Sequence, residues 1–299
     1  MKKMILASVM LVLSLAMQAQ VRVFPKMNVG DKYVYDCVTN SQLPGQQKMT
    51  AKSTMEFYVS QKTADGYIVD VTMTEMTSNS DNDLTSMIMN MTEGMLKGVK
   101  IRVAVNAKGV AQRITNFSEI KQKCSTYFDS FINRLYTEHP QMANVMPKEN
   151  LKAESMKTVT EEVLLHGITN TATNPLSLNG KTITEGMTDN YTSSVDIKMK
   201  RTYHVLGANK FSTHAVSNMS REDLKAFLIK KVGDSQPDKL EEFKNGLDVA
   251  LESGALTLEA TEDNVFELNA NGWPKRIETK SIVNMAGAET TISAISTLR

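Results

Sequence analysis

The chain has 299 residues, 34 basic and 33 acidic side chains, a formal net charge of +1, 41% apolar residues and two cysteines. No long block of either charge occurs, so a phosphate-tracking nucleic-acid surface is not expected. The length supports one sizeable core or two small ones.

The opening stretch MKKMILASVMLVLSLAMQAQ places Lys2 and Lys3 before an uncharged run from Met4 to Met17, then small and polar residues. A basic start, a short apolar run and a small-residue junction read as a secretory signal peptide over 1–19, with cleavage near Ala19. A spanning helix needs about 20 apolar residues. This run is shorter, and no second one follows. The mature chain is therefore expected to be exported, periplasmic or extracellular, without a transmembrane segment. No cysteine stands at the junction to carry a lipid. Cys37 shares an alternating face with Tyr33 and Tyr35, and Cys124 a helical face with Ile120 and Phe128. Both are predicted to point inward. A Cys37–Cys124 disulfide and two buried free thiols both stay open, because sequence does not fix a Cα separation.

A first β-rich unit is predicted over 20–116. VGDKYVYDCV alternates like a strand, and MEFYVSQKTADGYIVDVTM reads strand, turn, strand. A helix over 83–97 carries Leu84, Met87, Ile88, Met91 and Met95 on one stripe. The unit closes on VNAKGVAQRIT, a hairpin whose Asn and Gly supply positive φ. A helical connector follows over 117–167. Its first helix, 117–139, starts from an Asn116 to Glu119 capping box and aligns Ile120, Cys124, Phe128, Phe131, Ile132 and Leu135. A second, more polar helix is predicted from about Pro147 to His166, closed by Gly167.

The second unit, 168–299, repeats this grammar with a two-helix insertion. Ser220 caps a helix over 220–232 that Gly233 stops, and Ser235 caps one over 236–252 that ends at Gly254. LNANGWPKRIE then matches the earlier VNAKGVAQRIT, letter for letter at Asn-Ala-x-Gly and Arg-Ile. Pro25 with Pro175, and Tyr58 with Tyr203, make two further pairs in the same order. The predicted fold is α+β: two pseudo-repeated antiparallel β units, a curved sheet or half-barrel, with helices packed on one face.

Chemistry-bearing motifs are sparse. Gly180-Lys181-Thr182 ends like a phosphate loop, but Pro175 stands where the leading Gly belongs and a strand pattern follows instead of a helix. Met87, Met89 and Met91 suit a soft copper ion, yet they face different sides of a helix, so core packing is the preferred account. His204 and His214 flank one turn without a third ligand. His139 and His166 are placed at helix ends, where they serve the last carbonyls. G-x-S-x-G, H-E-x-x-H, C-x-x-C and G-x-G-x-x-G are missing, which lowers the expectation of an enzyme. No catalytic residue, metal or cofactor is assigned. The N-x-[ST] tripeptides at Asn90, Asn116, Asn190 and Asn218 are taken as chance.

The leader, the VGDKYVYDCV strand and the repeated N-x-x-G hairpins resemble uncharacterised exported β-rich proteins of Gram-negative bacteria. By architecture the chain is also similar to LolA-like lipoprotein-carrier half-barrels, which implies a curved sheet holding helices over an apolar concave face. Two functions are carried forward. One is a non-enzymatic envelope protein that binds a lipid or other apolar or amphipathic ligand between sheet and helices, lined by Met87, Ile88, Met91, Met95, Phe128, Phe131, Phe227 and Phe243. The other is a structural or interaction module that binds another envelope protein and has no cavity.

Overall fold

Alternating apolar and polar residues give long strands with one wet face, and short N-x-x-G or Gly turns join them in sequence. The computed structural model describes residues 20–46, 48–79, 91, 93–138, 140–141, 147–157, 159–235 and 239–299. The leader, Leu84, Met87, Ile88, Met89, Asn90 and His139 lie outside the described residues. The first half holds strands β1 (Val21–Arg22), β2 (Lys32–Gln42), β3 (Met49–Lys62), β4 (Gly66–Asn79), β5 (Lys100–Asn106) and β6 (Ala111–Ile114). Helices α1 (Phe117–Glu138), α2 (Lys148–Lys157) and α3 (Glu161–Asn170) follow. The second half holds β7 (Thr182–Ile183), β8 (Thr188–Thr192), β9 (Lys198–Gly207), β10 (Lys210–Ser217), helices α4 (Arg221–Ser235) and α5 (Leu240–Glu252), then β11 (Leu258–Leu268), β12 (Pro274–Met285) and β13 (Ala288–Leu298).

Eleven strands form one antiparallel sheet in the order β6-β5-β4-β3-β2-β13-β12-β11-β10-β9-β8. Each half is a meander, and the two are sewn together where β13 pairs β2, with Ser296 opposite Cys37. A small second sheet pairs β1 with β7, Val21 opposite Ile183. The fold is thus α+β with a large curved antiparallel sheet, as the alternation predicts.

The inner face is layered by register. One row runs Val205, Phe211, Phe266, Ile277 across β9 to β12 and is apolar. On the first half Phe57, Val71, Val59, Val69 and Val103 are fully or almost fully buried with Trp273, whose ring stacks on Tyr33 at 4.2 Å. The helices pack on this same face. α1 and α2 cover Val99, Ile101 and Ile114, while α4 sets Phe227 against Ile197, Met199, Ala215 and Ala260.

The sheet's edge strands, β6 and β8, are brought towards each other by one helix. α3 packs on β6, where the Glu161 carboxylate accepts the Ile114 N–H at 2.9 Å and so satisfies an edge amide. On its other side His166 Nε2 meets the Ser193 carbonyl, just past β8, at 3.2 Å, and Asn170 Nδ2 donates to His166 Nδ1 at 2.7 Å. The chain then continues as a strap over 171–181. Its Asn179 side chain donates to the Gly109 carbonyl beside β6 at 3.0 Å, and its Lys181 ammonium pairs with Asp189 on β8. Helix and strap together fill the seam of an otherwise open half-barrel.

Several local expectations need correction. Gly167 and Gly233 stop no helix: α3 runs on to Asn170 and α4 to Ser235. Neither Gly has the positive φ of a helix cap, a conformation that Gly254 does adopt. The predicted helix from Pro147 to His166 is broken, because Thr160 is extended and its hydroxyl caps a new helix at Val163 N. Asn116 does not cap α1 with its side-chain oxygen. Its Oδ1 accepts Arg102 N and its Nδ2 donates to Lys100 O, both at 2.9 Å, so the amide prolongs the ladder of β5 beyond β6. Ser235 closes α4, and Lys239 occupies the N-cap of α5.

The two N-x-x-G turns share one geometry. Asn106 Oδ1 accepts Lys108 N and Val110 N, and Asn269 Oδ1 accepts Asn271 N and Trp273 N. Gly109 and Gly272 hold φ of 79° and 77°. Ile114 and Ile277 are both buried. Tyr203 is buried, whereas Tyr58 lies between the inward Phe57 and Val59 and so points to the opposite face. The pair equated by letter is therefore not equivalent in facing.

Candidate functional site

A second inner-face row, one step along the strands from the apolar one, is polar. Tyr203, Thr213, Asn264 and Thr279 lie in register across β9 to β12, and beside them Asp189, Arg201, Ala215, Glu262 and Ser281 cross β8 to β12. Sheet register thus gathers charged side chains from strands far apart in sequence. The strap closes over them. A cavity of about 220 Å³ is left at the seam, with Arg201, Asp189, Lys181, Tyr191 and Glu262 on one wall and Val110, Ala111 and Leu176 on the other.

Arg201 is the centre of the charged wall. Its Nε and Nη2 donate to Asp189 Oδ1 and Oδ2 at 2.9 and 3.0 Å, a two-point grip of carboxylate by guanidinium. The guanidinium lies over the rings of Tyr191 at 4.3 Å and Tyr203 at 5.1 Å, which supply attraction where water is scarce. Asp189 Oδ2 also accepts the Tyr203 hydroxyl at 2.9 Å and the Lys181 ammonium. Burial raises the Asp189 pKa, but the hydrogen bonds and charges of Arg201 and Lys181 outweigh it and hold the carboxyl below its ordinary range. Burial likewise pushes the Tyr203 and Tyr191 hydroxyls up, so both remain proton donors.

Glu262 stands apart from that ion cluster. Its Oε1 accepts the Tyr191 hydroxyl at 3.0 Å and Asn264 Nδ2 at 2.9 Å, while Ser281 Oγ lies at 3.5 Å from Oε2. The strap contributes two acceptors without a donor among the described residues, Ser177 Oγ and Asn179 Oδ1. Asn179 is only 6% exposed, and its Nδ2 is committed to Gly109, which fixes which end of the amide remains unpaired. Buried polar atoms nearly always find partners, and these two are enclosed by protein within residues that line the cavity.

The described residues among those predicted to line a ligand pocket fall away from the seam, in three separate places. Met91, Met95 and Phe131 pack around Phe128, Cys124 and Ile132 beneath α1. Phe227 belongs to the layer under α4, and Phe243 to an open groove between α4 and α5. Met87 and Ile88 lie outside the described residues. Cys37 is half-buried and Cys124 buried, and both are free thiols. His204 and His214 each pair with a different carboxylate, Glu185 at 2.8 Å and Asp263 at 2.7 Å. Thr182, at the end of the phosphate-loop-like letters, opens strand β7. Among the described residues no group of three metal-ligating side chains assembles, and no helix is long and apolar enough to cross a membrane. Sequence reasoning passed over Asp189, Arg201 and Glu262. The available signal was a charged residue at an inward position of a strand, as at Arg201 between the inward Met199 and Tyr203.

No protein-family model and no curated protein matches the sequence. A solved structure described as "lipid-protein interactions in lipovitellin" is similar over 90% of this chain, with 11% identity and a TM-score of 0.41. The chain spans 25% of that lipovitellin chain. A score this low assigns neither fold nor ligand.

Proposed function

We propose that the chain is a non-enzymatic binding protein of the cell envelope that holds a small amphipathic ligand in the seam cavity. The leader-like N-terminus supports export. A cavity walled by the partly buried Arg201, Asp189 and Lys181 cluster, by Glu262 and by the strap is the observation that carries the binding reading. The charged wall receives the polar end of the ligand and Val110, Ala111 and Leu176 its apolar part. Pockets for drug-sized molecules run from about 300 to 1,000 Å³. This one is smaller, which suits a small molecule or the end of a longer one. Lys181 and Arg201 are both tied to Asp189, an arrangement that positions charge and does not move protons.

A docking module without a cavity is the competing class, and the seam cavity weighs against it. Native mass spectrometry of protein purified from its own host is the test. A single small-molecule adduct, released on denaturation and lost in Arg201→Met, is expected. An unliganded mass, with no shift of unfolding temperature across a screen of small amphipathic compounds, would overturn the proposal.

A further inference from the structure

The two ends of the charged wall carry opposite unmatched charges. Lys181 and Arg201 converge on one carboxylate, Asp189, whose oxygens already accept from Arg201 Nε, Arg201 Nη2, Tyr203 and Lys181. That cluster holds one positive charge in excess. Glu262 is held by neutral donors, Tyr191, Asn264 and Ser281, and has no ion pair among the described residues. It leaves one negative charge in excess. Tyr191 joins the two ends, since its ring faces the guanidinium and its hydroxyl reaches Glu262. The strap adds the polar residues Ser177 and Asn179 to the lining.

Each simple ligand class leaves something unmet. A bare cation answers Glu262 but adds to the positive excess. A bare anion answers Lys181 and strands Glu262. A neutral polyol donates hydrogens and compensates neither charge. An ammonium and a carboxylate on one short apolar body meet all of these, with the body against Val110, Ala111 and Leu176.

Resting on the binding reading above, we infer that the seam cavity selects small zwitterions with an apolar body, the class of free apolar α-amino acids. The ammonium is received by Glu262, and the carboxylate by Lys181 with the guanidinium edge of Arg201 that Asp189 does not bind.

Calorimetric titration of the full chain with leucine, isopentylamine and isocaproate separates the classes, because the last two are leucine without its carboxylate and without its ammonium. Leucine is expected to bind, with each truncated compound weaker by about tenfold or more, the worth of one charge-assisted hydrogen bond. Glu262→Gln should weaken leucine by about tenfold and erase its advantage over isocaproate. Lys181→Met should erase its advantage over isopentylamine, and both variants should retain the parent circular-dichroism spectrum. Equal binding of leucine and either truncated compound, or no leucine binding at all, overturns the zwitterion assignment. A different adduct in native mass spectra would do so while leaving the binding function standing, so the two failures are told apart.

Discussion

Asp189→Asn isolates the electrostatics that hold the seam. The amide keeps the shape of the carboxylate but removes the only negative charge among the described residues that Arg201 and Lys181 contact. Arg201's side chain is 10% exposed, so its charge would be left buried and unpaired. Breaking such a pair from one side costs about 3–5 kcal/mol. Asp189 and Lys181 are 23% and 31% exposed, which allows some screening by water and places the expected loss near the lower end, about 3 kcal/mol. Urea unfolding at neutral pH measures it, and Arg201→Met in the same background should recover part of the loss by removing the stranded charge. The pH dependence has a definite sign. Because the Asp189 pKa is depressed on folding, its stabilisation is complete above the unfolded carboxylate value, about 3.9, and is lost as pH falls through the lower folded value. The parent protein should therefore lose this contribution below about pH 4, and Asp189→Asn should show a shallower acid decline. A loss under about 0.5 kcal/mol, with parallel acid profiles, would refute the argument.

Three further outcomes are expected. Gly272→Val should lower stability by about 1–3 kcal/mol, because φ is +77° and a Cβ would meet the Phe24 carbonyl at 2.8 Å; Gly109→Val, against the Pro25 ring, should cost somewhat less, and thermal melts compare them. Glu161→Ala should leave the Ile114 amide without its acceptor and speed hydrogen exchange across 111–114, whereas Glu161→Gln should not, as exchange mass spectrometry will show. Cys37 and Cys124 should resist a thiol reagent in the native protein, since burial raises both pKa values, and two thiols should appear on denaturation; an absence of thiols would mean a bridge.

Strand alternation, turn residues and amphipathic stripes were legible in the chain because each depends on neighbours within a few positions. The β3–β4 and β9–β10 hairpins, the α1 stripe and the inward Tyr35 follow from such patterns. Helix ends were less legible where an outside partner competes for the capping group, as when the β5 ladder takes Asn116. The site was not legible at all. Asp189, Arg201 and Glu262 line one cavity because β8, β9 and β11 lie in one register, and Asn179 joins the lining because the strap crosses from β6 to β8. Pairing of β2 with β13 likewise joins residues near opposite ends of the chain. Such contacts depend on strand order and on the curl of the sheet, which set the distances between segments, and local periodicity carries no record of either.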